Sequence, residues 1–175
     1  MTNIRIQSLT GEALGPHTAA LAEIMAETVN DGAAIGFMLP FTAANGRAFF
    51  EGQVYAELRA GHRKLIMAWL GDQPAGSVQL IVGLPLNQPH RAEVAKMMVR
   101  PSARRKGVGR ALMAAVDEEA QRAGKSLITL DTRTGDVAEP LYRAAGFIEA
   151  GVIPGYALDP DGQRMHATTY MYKTL

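Results

Sequence analysis

The chain has 175 residues, 47% of them hydrophobic and 20% charged, with a net charge of +1 and no cysteine. Those values suit one globular domain over residues 1–175 and leave no room for a disulfide framework, a thiolate metal site or a cysteine nucleophile. The balanced charge speaks against an extended nucleic-acid surface. No apolar run reaches the roughly 18–20 residues that cross a bilayer, and Met1–Ile6 lacks the layout of a secretory signal. The expectation is a cytoplasmic protein with neither a nucleic-acid nor a membrane partner.

In chain order, Asn3 to Leu9 reads as a first strand. Leu21, Ile24, Met25 and Val29 then recur at helical spacing, predicting a helix from His17 to Val29. A glycine-rich loop through Gly32 and Gly36 follows. A second helix is predicted from about Thr42 to Leu58, where Phe50, Val54 and Leu58 stand four apart. Leu65–Leu70 and Gly76–Val82, joined by Gly71-Asp72-Gln73-Pro74, form a hairpin. Ala92–Val99 is a further strand, stopped by Pro101. Val108–Ala123 is an amphipathic helix ending at Gly124, Leu127–Leu130 a short buried strand, and Ala138–Ala145 a short helix ended by Gly146. The last strands open at Phe147 and close near Tyr172. Strand, helix, strand, helix between Ala92 and Gly146 implies a parallel pair with a helical crossover. Hairpins on either side make the sheet mixed and mostly antiparallel, with about four helices.

The segment that carries chemistry is Val99-Arg100-Pro101-Ser102-Ala103-Arg104-Arg105-Lys106-Gly107-Val108-Gly109-Arg110. It joins a strand to a helix, where the first N–H groups have no intrahelical partner and the positive end of the helix dipole lies behind them. Gly107 and Gly109 remove side chains, and Arg104, Arg105, Lys106 and Arg110 add charge, which suits a pyrophosphate. A solvated helix end would also explain the charges. A dinucleotide fingerprint is excluded, because Leu112 stands at its third glycine. A phosphate-binding P-loop around Gly124-Lys125-Ser126 is excluded because Glu119 replaces its glycine and a strand follows.

Arg-x-x-Gly-x-Gly after a strand, with Leu141-Tyr142-Arg143-Ala144-Ala145-Gly146-Phe147 further on, resembles the two signatures of the GCN5-related N-acetyltransferase family. The resemblance implies that family's fold: a mixed, mostly antiparallel sheet with a splayed parallel strand pair, flanked by helices. It implies acetyl-CoA as cosubstrate, held by Met97, Met98 and Val99 along the strand and by Arg104, Arg105, Lys106, Gly107, Val108, Gly109 and Arg110 at the loop. Many members carry an asparagine after the next strand. Gly135 stands there, so Asp136 or backbone is expected to replace that contact. Tyr142 matches the family's general acid. Packing of a helix on the sheet is the bland explanation for the same residue.

Further stretches, among them Glu27-Thr28-Val29, Arg91-Ala92-Glu93-Val94, Leu130-Asp131-Thr132 and Pro154-Gly155-Tyr156, resemble the tabtoxin-resistance subgroup, which acetylates an amine of a β-lactam toxin. In that subgroup the position of Asp131 is a proposed partner of the tyrosine. Asp131 lies at the carboxyl end of its strand, where ligands of α/β sheets gather. Glu93, six residues before Val99, falls by alternation on the same face as Val99. Either acid is a candidate base, or a group that holds the acceptor's cation. Asn30, Asp31, Phe37 and Tyr156 are the candidate acceptor contacts. His17, His62, His90 and His166 show no ligand spacing, so no metal is expected. The resulting expectation is direct acetyl transfer to a small-molecule amine by a monomer or homodimer. A protein N-terminus or lysine as acceptor, and a non-catalytic acyl-CoA sensor, stay open at this point.

Overall fold

The computed structural model describes residues 3–175. The backbone forms strands β1 (Ile4–Leu9), β2 (Arg63–Leu70), β3 (Gln73–Ile81), β4 (Arg91–Val99), β5 (Leu127–Arg133), β6 (Ile148–Leu158) and β7 (Met165–Thr174). Its helices are α1 (Gly11–Leu14), α2 (Thr18–Asn30), α3 (Ala43–Phe49), α4 (Tyr55–Arg59), α5 (Val108–Arg122) and α6 (Glu139–Ala144). The seven strands lie in the order β1-β2-β3-β4-β5-β7-β6. Among the described residues only β4 and β5 run parallel; every other neighbouring pair is antiparallel. This is the mixed sheet expected from the order of elements. No described helix is long and apolar enough to cross a membrane.

Strand alternation divides the core in two. Ile66, Ala68, Val78, Leu80, Ile128 and Leu130 pack on one face with Val108, Leu112, Met113, Val116 and Ala120 of α5 and with Tyr142 of α6. Leu65, Met67 and Trp69 point to the other face and meet Leu21, Ile24, Met25 and Val29 of α2. Each fully buried Leu, Met or Val in these stripes contributes about 1.5–3 kcal/mol, so the two apolar faces of the sheet fix the helices in place.

Two departures from regular pattern matter for the site. The predicted helix from Thr42 to Leu58 is interrupted by a π-helical turn over Phe50–Val54, which separates α3 from α4. Phe50 and Val54 are still fully buried, so the extra backbone in this turn is tolerated because it keeps both side chains in the core. The second departure is in β4. Ser77 pairs with Met98 but Gln79 pairs with Ala95, so β4 carries one more residue than β3 across this interval. That bulge holds Lys96 at φ 50, a left-handed conformation that costs a non-glycine residue about 1–3 kcal/mol. It also reverses alternation. Met98 joins the α2 side of the sheet and Val99 packs on the α5 side. Glu93 therefore does not share a face with Val99, as strict alternation predicted.

Candidate active site

Parallel pairing of β4 with β5 is confined to Arg91↔Leu127, Ala92↔Ile128 and Glu93↔Thr129. Beyond those pairs both strands continue, to Val99 and Arg133, with no ladder between them. A cleft of about 750 Å³ opens there, lined by Glu93–Met97 of β4, Leu130–Arg133 of β5, Asp136, Ala138 and Tyr142. Ala33–Met38 of the loop after α2, Arg63 of β2, and Tyr156 and His166 of the last hairpin line it as well. A cleft of this size suits a small ligand.

The gap connects the two faces of the sheet. Tyr142 belongs to the α5-side core and is 6% exposed. Its ring stands edge-on to Phe147, with centroids 6.2 Å apart, and its hydroxyl makes no hydrogen bond to another described residue. Burial pushes the phenol well above its ordinary pKa, and the nearby carboxylates of Asp136 and Asp131 push the same way. Tyr142 thus keeps its proton throughout the neutral range. Asp131 is on the opposite face, because its neighbours Ile128 and Leu130 alternate into the α5-side core. Desolvation by the cleft walls raises the Asp131 carboxyl pKa, the Glu93 carboxylate raises it further, and Lys96 opposes both. Glu93 is tied to Arg91 at 3.1 Å.

Several cleft residues gave no sign in the sequence. Lys96 reaches the cleft from the bulge, its Nζ 5.4 Å from the Phe37 ring centroid. Burial lowers its pKa, Arg63 adds to the effect and Asp131 counteracts it. Arg63 is 5% exposed and bonds to Gln79 and, at 2.6 Å, to Glu57. Tyr156 and Tyr170 share a hydrogen bond of 2.7 Å, which is the main reason that the Tyr170 phenol is pushed up to about 12. A second cleft of about 590 Å³ contains both tyrosines and shares Glu93, Leu130, Asp131 and Tyr156 with the first.

The other residues singled out in the sequence divide. Met97 lines the cleft and Met98 is buried in the α2-side core, so only its backbone is free to act. Asp136 lines the cleft while its Oδ1 accepts the Ala138 N–H at 3.2 Å, fixing the turn into α6. Phe37 and Tyr156 line the cleft, but Asn30 and Asp31 do not. The Asn30 amide donates to the Phe41 carbonyl at 2.8 Å, and Asp31 pairs with Arg104 at 2.5 Å. Asn30 holds the loop after α2 in shape, and Asp31 ties that loop to the basic segment.

That segment lies outside the cleft lining, at the carboxyl end of β4 from which the gap widens. Gly107 is the N-cap of α5 at φ 87, a conformation suited to glycine. Arg105, Lys106 and Arg110 are exposed and have no ion pair among the described residues, whereas Arg104 is committed to Asp31. Gly109 serves packing. A Cβ there would sit 2.9 Å from Leu141 Cδ2, so the missing side chain lets α6 approach α5 and sets Tyr142 at the cleft.

Comparison with known proteins bears on the family and the fold. A family model described as acetyltransferase (GNAT) family matches residues 26–147. An IAA acetyltransferase of Azospirillum brasilense is 38% identical over 69 residues, a match that covers 39% of this chain and 45% of that relative's length. Among solved structures, a ribosomal-protein-alanine N-acetyltransferase from Brucella melitensis superposes with a TM-score of 0.80 at 24% identity, covering 98% of this chain and 99% of that one. The yncA protein of Salmonella typhimurium, solved with its cofactor acetyl-CoA, superposes with a TM-score of 0.79 at 21% identity, covering 98% and 94%. The structural matches share the fold.

Proposed function

This chain belongs to the acetyltransferase (GNAT) family, and we propose that it moves an acetyl group from acetyl-CoA directly onto the amine of a small molecule. The observation that carries the proposal is the gap beyond Glu93, across which a buried, protonated Tyr142 faces a carboxylate, Asp131, on the other side of the sheet.

The chain's residues suit acetyl-CoA. Exposed Arg105 and Lys106 precede, and exposed Arg110 belongs to, the first turn of α5, whose free N–H groups follow Gly107, which presents only backbone. Each charge-assisted hydrogen bond to phosphate is worth about 1.5–3 kcal/mol. The unladdered edge of β4 from Val94 to Val99 offers backbone groups to an extended amide-bearing arm, with Asp136 and Met97 beside it. Bound there, acetyl-CoA supplies the acetyl thioester and a sulfur that leaves as a thiol.

Asp131 receives a proton from the acceptor's ammonium, and its raised pKa makes it a stronger base than an ordinary carboxylate. Tyr142 holds a proton at Oη, is positioned to deliver it to the departing sulfur, and is reprotonated by the second proton that the acceptor nitrogen loses as the amide forms. Glu93, bonded to Arg91, keeps the negative field around Asp131 and orients the cationic acceptor. Phe37 and Tyr156 form the aromatic part of the acceptor pocket. No acetyl-enzyme step is needed, since the chain has no cysteine and positioning two reactants in one cleft supplies a large rate advantage. Within this class, the stretches around Asp131 and Tyr156 support a toxin-like amino acid of the tabtoxinine-β-lactam type, acted on in the cytoplasm by a monomer or homodimer.

The test is CoA release from acetyl-CoA, read with a thiol reagent, across amino acids, dipeptides, simple amines and tabtoxinine-β-lactam. Acceptor-dependent release with an acetylated product by mass is expected. Tight acetyl-CoA binding with no release from any small acceptor would overturn the small-molecule reading and favour a protein acceptor or a sensor.

A further inference from the structure

The charged groups of the cleft are not all alike. Arg63 is neutralised by Glu57 at 2.6 Å, Arg133 by Asp159 at 2.9 Å, and Glu93 by Arg91 at 3.1 Å. Asp136 caps its own turn. Lys96, Asp131 and Asp136 have no ion pair among the described residues, and of these only Lys96 and Asp131 are also free of a hydrogen bond that fixes their own turn. Lys96 and Asp131 come from neighbouring strands, and both line the same cleft.

Lys96 is an unusual residue to find there. Its ammonium is half-buried, a position that water solvates poorly, and no carboxylate among the described residues lies within ion-pair distance. A Cβ on Gly36 would lie 3.4 Å from Nζ, so the ammonium sits under the Gly36–Phe37 loop, against the Phe37 ring. The backbone that carries it is strained, with φ 50 at a non-glycine residue inside a bulge. Strain at such a position persists where the surroundings demand it. Without the bulge, strict alternation would put the residue after Ala95 on the α5 side of the sheet, away from the acceptor loop.

An unpaired cation and an unpaired anion facing one cleft complement a ligand that carries both charges. We propose that Lys96 binds the oxyanion of an acceptor that is a zwitterion, an amino acid or amino-acid-like compound whose amine faces Asp131 and whose acid group pairs with Lys96. The inference rests on the transferase reading above and narrows its substrate class. A simple amine or an amide would leave Lys96 unpaired in the cleft, so such acceptors are discriminated against by the loss of one charge-assisted bond.

The experiment compares free amino acids and dipeptides with their own C-terminal amides as acceptors, for the natural protein, Lys96→Met and Lys96→Arg. The natural protein is expected to favour the free acid by about 10- to 100-fold in kcat/KM, carried mostly by KM. In Lys96→Met that preference collapses as KM for the acids rises, and Lys96→Arg restores part of it. A thermal melt of each variant reports folding separately. The proposal is overturned if amides are used as well as acids by the natural protein, or if Lys96→Met lowers both members of each pair equally through kcat. Acetyl-CoA binding without turnover of any pair would overturn the small-molecule reading as well. A changed preference can only come from the acceptor site, so the two failures are distinguishable.

Discussion

Packing holds Tyr142 in place, with Phe147 across its ring and α5 behind it. Its hydroxyl bonds to no described residue, so deleting that one atom leaves the fold alone. Tyr142→Phe is expected to keep its melting temperature and acetyl-CoA affinity while kcat falls about 10²–10⁴-fold, the usual contribution of a positioned acid. Loss of affinity in step with kcat would assign the residue to binding instead. Asp131 works in the other direction. Its folded pKa lies above the ordinary value of 3.8, so the folded chain binds this proton more tightly than the unfolded one. Stability from this group is therefore lost as pH rises from about 3.8 through its raised value. Asp131→Asn should melt higher than the natural protein at pH 7, show no such advantage below the ordinary value, and lack the acidic limb of the kcat/KM profile. Tyr142 was legible because it stands inside the Leu141–Phe147 signature. Lys96 was not, since an isolated lysine in an apolar strand gives no hint that its backbone leaves the strand's alternation.

Elements were easier to place than their irregularities. Periodicity located α2 and α5 within a residue or two, because each buries a single apolar stripe. The π turn at Phe50–Val54 keeps the same buried residues as a regular helix would, so the apolar pattern could not report it. The bulge in β4 was hidden for a related reason: Met97, Met98 and Val99 are apolar whichever face each takes. It put Val99 on the opposite face from Glu93, which stays on the face of Asp131. Gly76 marks the same region from β3. A Cβ there would fall 2.5 Å from the Met98 carbonyl oxygen and 3.3 Å from Leu112 Cδ1. The backbone of β4 cannot yield as a side chain tip can, so Gly76→Ala is expected to destabilise by about 1–3 kcal/mol, seen as a lower melting temperature. An unchanged melting temperature would mean that β3 and β4 are not in close register there.

At the scale of the molecule, the sheet acts as a partition with one opening. Helix α6 brings the Tyr142 hydroxyl to one face, and β5 presents the Asp131 carboxylate on the other. The N-terminus of α5 with its free cations stands at the wide end of the opening. The order of strands and helices announced this plan, and the paired signatures at Arg104–Gly109 and Leu141–Phe147 announced its chemistry. The acceptor end was less legible, because its walls come from the loop after α2, the last hairpin and the bulge, which are distant in sequence and meet only in the fold. A ligand gripping both the α5 terminus and the β4 edge stabilises the folded state. Acetyl-CoA at a hundredfold excess over its Kd should add about 2.7 kcal/mol, raising the melting temperature by about 5–10 °C. A comparable rise with adenine nucleotides alone would place the binding energy outside the β4 edge.

Direct transfer across this opening is read from initial rates of CoA release with acetyl-CoA and acceptor varied together. The geometry predicts intersecting double-reciprocal lines, because both reactants must occupy the cleft before the bond forms. Parallel lines would show that the acetyl group leaves CoA before the acceptor arrives, and would contradict the account.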